Sequence, residues 1–182
     1  MISENDIGAV WKPKELHRAS RQVVDGLSIP HDQKEYLHKL GLPNVEHLLL
    51  EFDLSKPLPL LSKLSSTQNV PEEYKGLKVI GTQDGEPSIC LDEKRSGQLW
   101  SVDATGQDLT RYINCGVREF GLFLTVHKRD YLRPGLSKLP DKAIRLIINT
   151  IETEYRAIDK SALDNQENWW SVILEQMKDG LL

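Results

Sequence analysis

The chain has 182 residues, 39% of them hydrophobic and 27% charged, with a formal net charge of -4. That is long enough for one good core and short for two, too apolar for wholesale disorder, and lacking the basic surface that phosphate contacts demand. One domain is expected over residues 1–182, with an N-terminal helical segment (1–43), a sheet (44–115) and C-terminal helices (116–182).

The negative excess is local. Residues 84–108 hold Asp84, Glu86, Asp92, Glu93, Asp103 and Asp108 against only Lys94 and Arg95, while the parts on either side nearly cancel. Such a band suits a basic protein partner better than nucleic acid, so no direct nucleic-acid contact is expected. The first residues lack the basic start and apolar stretch of a signal peptide. No apolar run approaches the ~20 residues of a spanning helix. A cytoplasmic protein without membrane contact is expected, and the two cysteines, Cys90 and Cys115, should be buried reduced thiols.

Taken in order, Ile7, Val10 and Trp11 form an apolar patch ahead of Pro13 and read as a short arm or helix. Leu16, Ala19 and Val23 predict one amphipathic helix over residues 14–25, stopped at Gly26. A second follows Pro30, with Asp32 as cap, Glu35 as its capping-box partner, and Tyr36, Leu37 and Leu40 inward until Gly41. Residues 45–54 read as a strand and 55–75, with three prolines and a Ser-Ser-Thr-Gln-Asn run, as a connection.

From Leu77 the pattern sharpens. Three β-rich runs, residues 77–81, 88–91 and 98–103, are separated by Asp84-Gly85-Glu86-Pro87 and by Glu93-Lys94-Arg95-Ser96-Gly97, the spelling of a meander. A further strand over 110–115 leads past Gly116 into a helix with Phe120 and Phe123 against the sheet. A long helix over 141–158 follows, with Asp141 as cap and Ile144, Ile147, Ile148, Ile151 and Tyr155 in one stripe. The last runs over 165–179 to Gly180. The expected class is α+β: a central antiparallel sheet of five or six strands, N-terminal helices before it and three C-terminal helices packed on it.

Reactive groups do not converge in this pattern. His31 and His38 are seven apart, not the i, i+4 spacing of a helical metal pair, and the histidines read as exposed. Cys115 before a helix start is the one suggestive thiol, with core packing the stronger reading. No catalytic, metal or cofactor residue is assigned. An enzyme would need a deep pocket holding two or more of Glu51, Asp53, His47 and Asp92. Trp169 and Trp170 are neighbours on one helix, so one can be core and the other part-exposed. Trp100 divides evenly between core and rim.

The runs Ile80-Gly81, Asp84-Gly85, Ile89 with Leu91-Asp92, Gly97, and Asn114-Cys115 leading to Phe120 and Phe123 resemble the SUKH superfamily, in particular its immunity-protein branches from bacterial polymorphic-toxin systems. Leu40-Gly41-Leu42-Pro43 is similar to the Gly-x-Pro element ahead of the first strand. The likeness spans residue 40 to the C-terminus. Glu86-Pro87 and Cys115 depart from the usual residues. Resemblance implies a non-catalytic α+β domain that binds and neutralises a cognate toxin, often a nuclease or deaminase; the expected state of the chain is a monomer or weak homodimer. The same superfamily includes eukaryotic cell-wall regulators, so a regulatory or scaffold module is the alternative. The expected partner-binding residues are Asp84, Glu86, Asp92, Glu93, Trp100 and Asp103.

Overall fold

A computed structural model describes residues 2–64, 70–102 and 110–182. Asp103, Asp108 and the Ser-Ser-Thr-Gln-Asn run lie outside the described residues. The architecture is α+β. Five strands pair in chain order as an antiparallel sheet: β3 (Leu50–Phe52), β4 (Lys78–Gln83), β5 (Glu86–Asp92), β6 (Gln98–Ser101) and β7 (Arg111–Asn114). A second, two-stranded sheet joins β1 (Leu16–His17) to β2 (Leu42–Pro43). Among the described residues the helices are α1 (Glu4–Val10), α2 (Arg21–Asp25), α3 (His31–Lys39), α4 (Val117–Val126), α5 (Asp141–Ile158) and α6 (Trp169–Asp179).

The meander forms where its turn residues allow it. Asp84 and Gly85 both take positive φ, 53° and 79°, closing β4 onto β5 as a tight hairpin turn. Ser96 and Gly97, at 55° and 86°, do the same between β5 and β6. Alternation along the strands then makes two cores. Ile80, Ile89, Leu91, Leu99 and Ile113 join the main one with Phe120, Phe123, Tyr155 and Trp170. Val79, Cys90 and Val102 join Leu61, Val70 and Leu77 in a smaller one on the opposite face.

The N-terminal third departs from the helical expectation. Leu16 and His17 pair with Pro43 and Leu42, and α2 starts only after Ser20, whose hydroxyl accepts from the Val23 amide. Pro30, not Asp32, stands at the α3 cap, and Glu35 faces Arg21 and Lys39 rather than the helix start. The strand expected over 45–54 shrinks to β3, because residues 46–48 form a 3₁₀ turn ending at Leu49 with φ 54°. Both adjacent tryptophans are buried: Trp169 donates to Gln83 Oε1 at 3.2 Å and Trp170 to Asn114 Oδ1 at 2.9 Å. α4 and α6 are thus tied to the sheet side that holds the main core.

Both margins of the sheet are occupied. On β3, the Leu50 amide and carbonyl pair with Val45, and the Phe52 amide donates to Asn44 Oδ1 at 2.8 Å. Beside β7, Asp159 accepts from Asn114 Nδ2 at 3.0 Å and from the Cys115 amide at 2.9 Å, while Arg111 reaches Glu167. On the β3 side, a partner strand therefore meets Leu50 groups and a Phe52 amide that are already engaged.

Candidate partner-binding surface

The acidic residues singled out from the sequence separate into two groups. Asp84 and Glu86 are exposed at the β4–β5 turn. Asp92 and Glu93 sit at the other end of β5, which is seven residues long and so spans about 20 Å. Those two are engaged internally. Asp92 is buried and accepts from the Lys94 amide at 2.9 Å, and Glu93 Oε1 accepts from the Ser28 amide at 2.6 Å. Trp100 is half-buried on the sheet face away from the helices. Its ring meets Tyr74 and Tyr112, with Arg95 5.2 Å above it. No single face carries Asp84, Glu86, Asp92, Glu93 and Trp100 together.

The hairpin acids acquire other neighbours. The Asp84 amide donates to the Leu49 carbonyl at 2.9 Å, which brings the exposed, left-handed Leu49 to the turn. β3 then runs alongside β4 with Glu51 opposite Thr82 and Phe52 opposite Gly81. Gly81 is required there, since a Cβ would stand 2.6 Å from the Phe52 ring. Phe52 points inward, so Glu51 and Asp53, on either side of it, are exposed.

Beside them an open groove of about 490 Å³ runs between β3, β4 and the proline-containing connection. Phe52, Pro57, Pro59, Val79 and Ile80 supply its apolar lining, and Glu51, Asp53 and Lys56 its charge. Asp53 meets Lys56 at 3.9 Å. Hydrogen bonds from Ser55 pull its carboxyl below the usual carboxylate range. Among the described residues no cation pairs with Glu51, Asp84 or Glu86. The Thr82 hydroxyl, which also lines the groove, has no hydrogen-bond partner among the described residues.

The groove holds two of the four residues on which an enzyme reading would rest, Glu51 and Asp53, but it is open and shallow, and Asp53 is shifted toward the ionised form. Cys115, expected to be buried, is exposed, and surrounding protein together with Asp159 pushes its thiol up to about 12, away from nucleophilic use. Among the described residues no group of three or more His, Cys, Asp or Glu side chains could hold a metal.

One cluster escaped the sequence reading. His127 is fully buried rather than exposed, at the start of a π-helical turn, His127–Tyr131, which continues α4. Its Nε2 lies 3.5 Å from His47 Nδ1, and its own Nδ1 has no partner among the described residues. Burial, then the neighbouring His47, lowers its pKa to about 3. The available signal was its place directly after the run from Phe120 to Val126, which is buried all round.

A family model, SUKH-4 immunity protein, matches residues 2–176. No curated protein and no solved structure matches the chain. A match that runs through the two-stranded sheet, the five-stranded sheet and the helices behind it leads to one conclusion: the chain belongs to the SUKH-4 immunity protein family.

Proposed function

We infer that the protein confers immunity by binding a cognate protein toxin and blocking it, without catalysis of its own. The family match over residues 2–176 carries this reading. What it adds beyond an immunity function is the partner and the mode. The partner is a toxin whose own substrate is anionic, a nuclease or a nucleic-acid deaminase, and the mode is occlusion. The exposed carboxylates support it: a protein that grips phosphate presents cations, and Asp84, Glu86 and Glu51 stand exposed without a cationic partner among the described residues. Of the described acidic residues expected to bind, Asp84 and Glu86 are free to do so, whereas Asp92 and Glu93 are held by Lys94 and Ser28.

The experiment is co-expression with the toxin domain encoded by the adjacent reading frame, followed by co-purification. Protection of the host and a stable complex are expected. A toxin that kills equally with and without this chain, and leaves it unbound, would end the proposal.

A further inference from the structure

Three places stand out beyond the packing of the cores: the His47–His127 pair, the outer face of α5 around Leu146, and the groove at the β3 margin. The histidine pair has no third ligand-type side chain among the described residues. Leu146 stands on a helix face with nothing to indicate what covers it. The groove is different, because shape and charge there specify the same kind of occupant.

We propose that the groove between β3, β4 and the proline-containing connection is the primary docking site for the toxin. Its occupant is a protein segment that places one apolar side chain next to one or two lysine or arginine side chains. This rests on the immunity reading above and names the partner chemistry within it. Phe52, Pro57, Pro59, Val79 and Ile80 give the groove an apolar lining in about 490 Å³, ample for a single large side chain. Prolines hold such a wall at little conformational cost, since their ring has no rotamer freedom to lose on binding.

Charge then selects what flanks that side chain. Glu51 and Asp53 lie in the groove itself, and Asp84 and Glu86 stand at the hairpin turn that Leu49 links to the start of β3. Lys56 is the cation in this group, 3.9 Å from Asp53, and its side chain is 81% exposed, so water screens that pair. A cationic flank on the partner meets Glu51, Asp84 and Glu86, none of which pairs with a cation among the described residues. The mode of docking follows from the backbone: Val45 pairs with the amide and carbonyl of Leu50, and Asn44 accepts from the Phe52 amide. The partner must therefore be held by side chains in the groove, not by adding a strand to the sheet.

The test measures binding kinetics with the toxin domain of the adjacent reading frame, immobilised, against four forms of this protein. These are the unaltered chain, the double reversal Glu51→Lys with Asp84→Lys, the wall variant Pro57→Ala with Pro59→Ala, and the control Glu175→Lys on α6. Thermal unfolding of each form confirms that it is folded. The double reversal should slow association about tenfold and flatten its salt dependence, because rim charges act mainly on encounter. The wall variant should speed dissociation about threefold or more while leaving association alone. The control should match the unaltered chain. If the unaltered chain binds and both groove variants bind as it does, the docking site lies elsewhere and this inference falls while the immunity reading stands. If the unaltered chain does not bind, the immunity reading itself fails and takes this inference with it.

Discussion

At the scale of single residues the most informative group is His127. It is neutral and solvent-free, its pKa lowered from 6.5 to about 3. Between those values the unfolded chain takes up a proton that the native state refuses. Stability therefore falls as pH drops through that window, by about 1.4 kcal/mol per pH unit for this one group. Below about 3 both states carry the proton and the slope disappears. His127→Phe keeps a ring in the same space and removes the titration. Urea unfolding from neutral pH down to about pH 4 should show the variant losing less stability than the parent; parallel losses would mean that the native state accepts the proton freely. Gly121 makes a second residue-scale case. A Cβ there would stand 1.9 Å from the Tyr36 hydroxyl, so Gly121→Ala should destabilise by about 1–3 kcal/mol despite alanine's better helix propensity. Combining it with Tyr36→Phe should cost less than the sum of the two single changes, read by denaturant midpoints.

At the scale of elements, the link that sets the sheet against its helices is a chain of hydrogen bonds. Trp170 of α6 donates to Asn114 of β7, and Asn114 donates to Asp159 beyond α5. Asn114 is fully buried, so Asn114→Ala leaves a tryptophan N–H without an acceptor and a carboxylate short of one donor. A loss of about 2–3 kcal/mol is expected in urea unfolding, and a loss below about 0.5 kcal/mol would show that water replaces the side chain. Elements of this kind differ in how far the sequence discloses them. β4, β5 and β6 were legible because each is bounded by turn residues whose positive φ the structure then uses, Asp84-Gly85 and Ser96-Gly97. α5 was legible from its isoleucine stripe. Residues 14–25 were not, because Leu16 and His17 take their backbone partners from Leu42 and Pro43, across α3, and a local helical spacing cannot reveal that distant pairing. The capping role assigned to Glu35 failed for a related reason: Arg21 and Lys39 draw its carboxylate sideways and hold its pKa down to about 2.

At the scale of the whole molecule, charge along the chain is a poor map of charge in space. Residues 84–108 carry the negative excess, yet β5 carries its acids to opposite ends, where Asp92 holds the turn at Lys94 and Glu93 holds the distant Ser28 amide. The hairpin acids were readable from the sequence. Their association with Leu49, Glu51 and Asp53 was not, since it depends on the β3–β4 register across an intervening connection. The resulting surface is an open groove with apolar walls and carboxylates beside it, and the proposed mode is recognition of one basic protein rather than turnover of a small molecule. Stoichiometry separates those two modes most directly. Toxin activity titrated with this protein should fall linearly and reach its floor at one equivalent, with no modified toxin or product released. Inhibition at a small fraction of an equivalent, or full toxin activity in the presence of excess protein, would contradict the account.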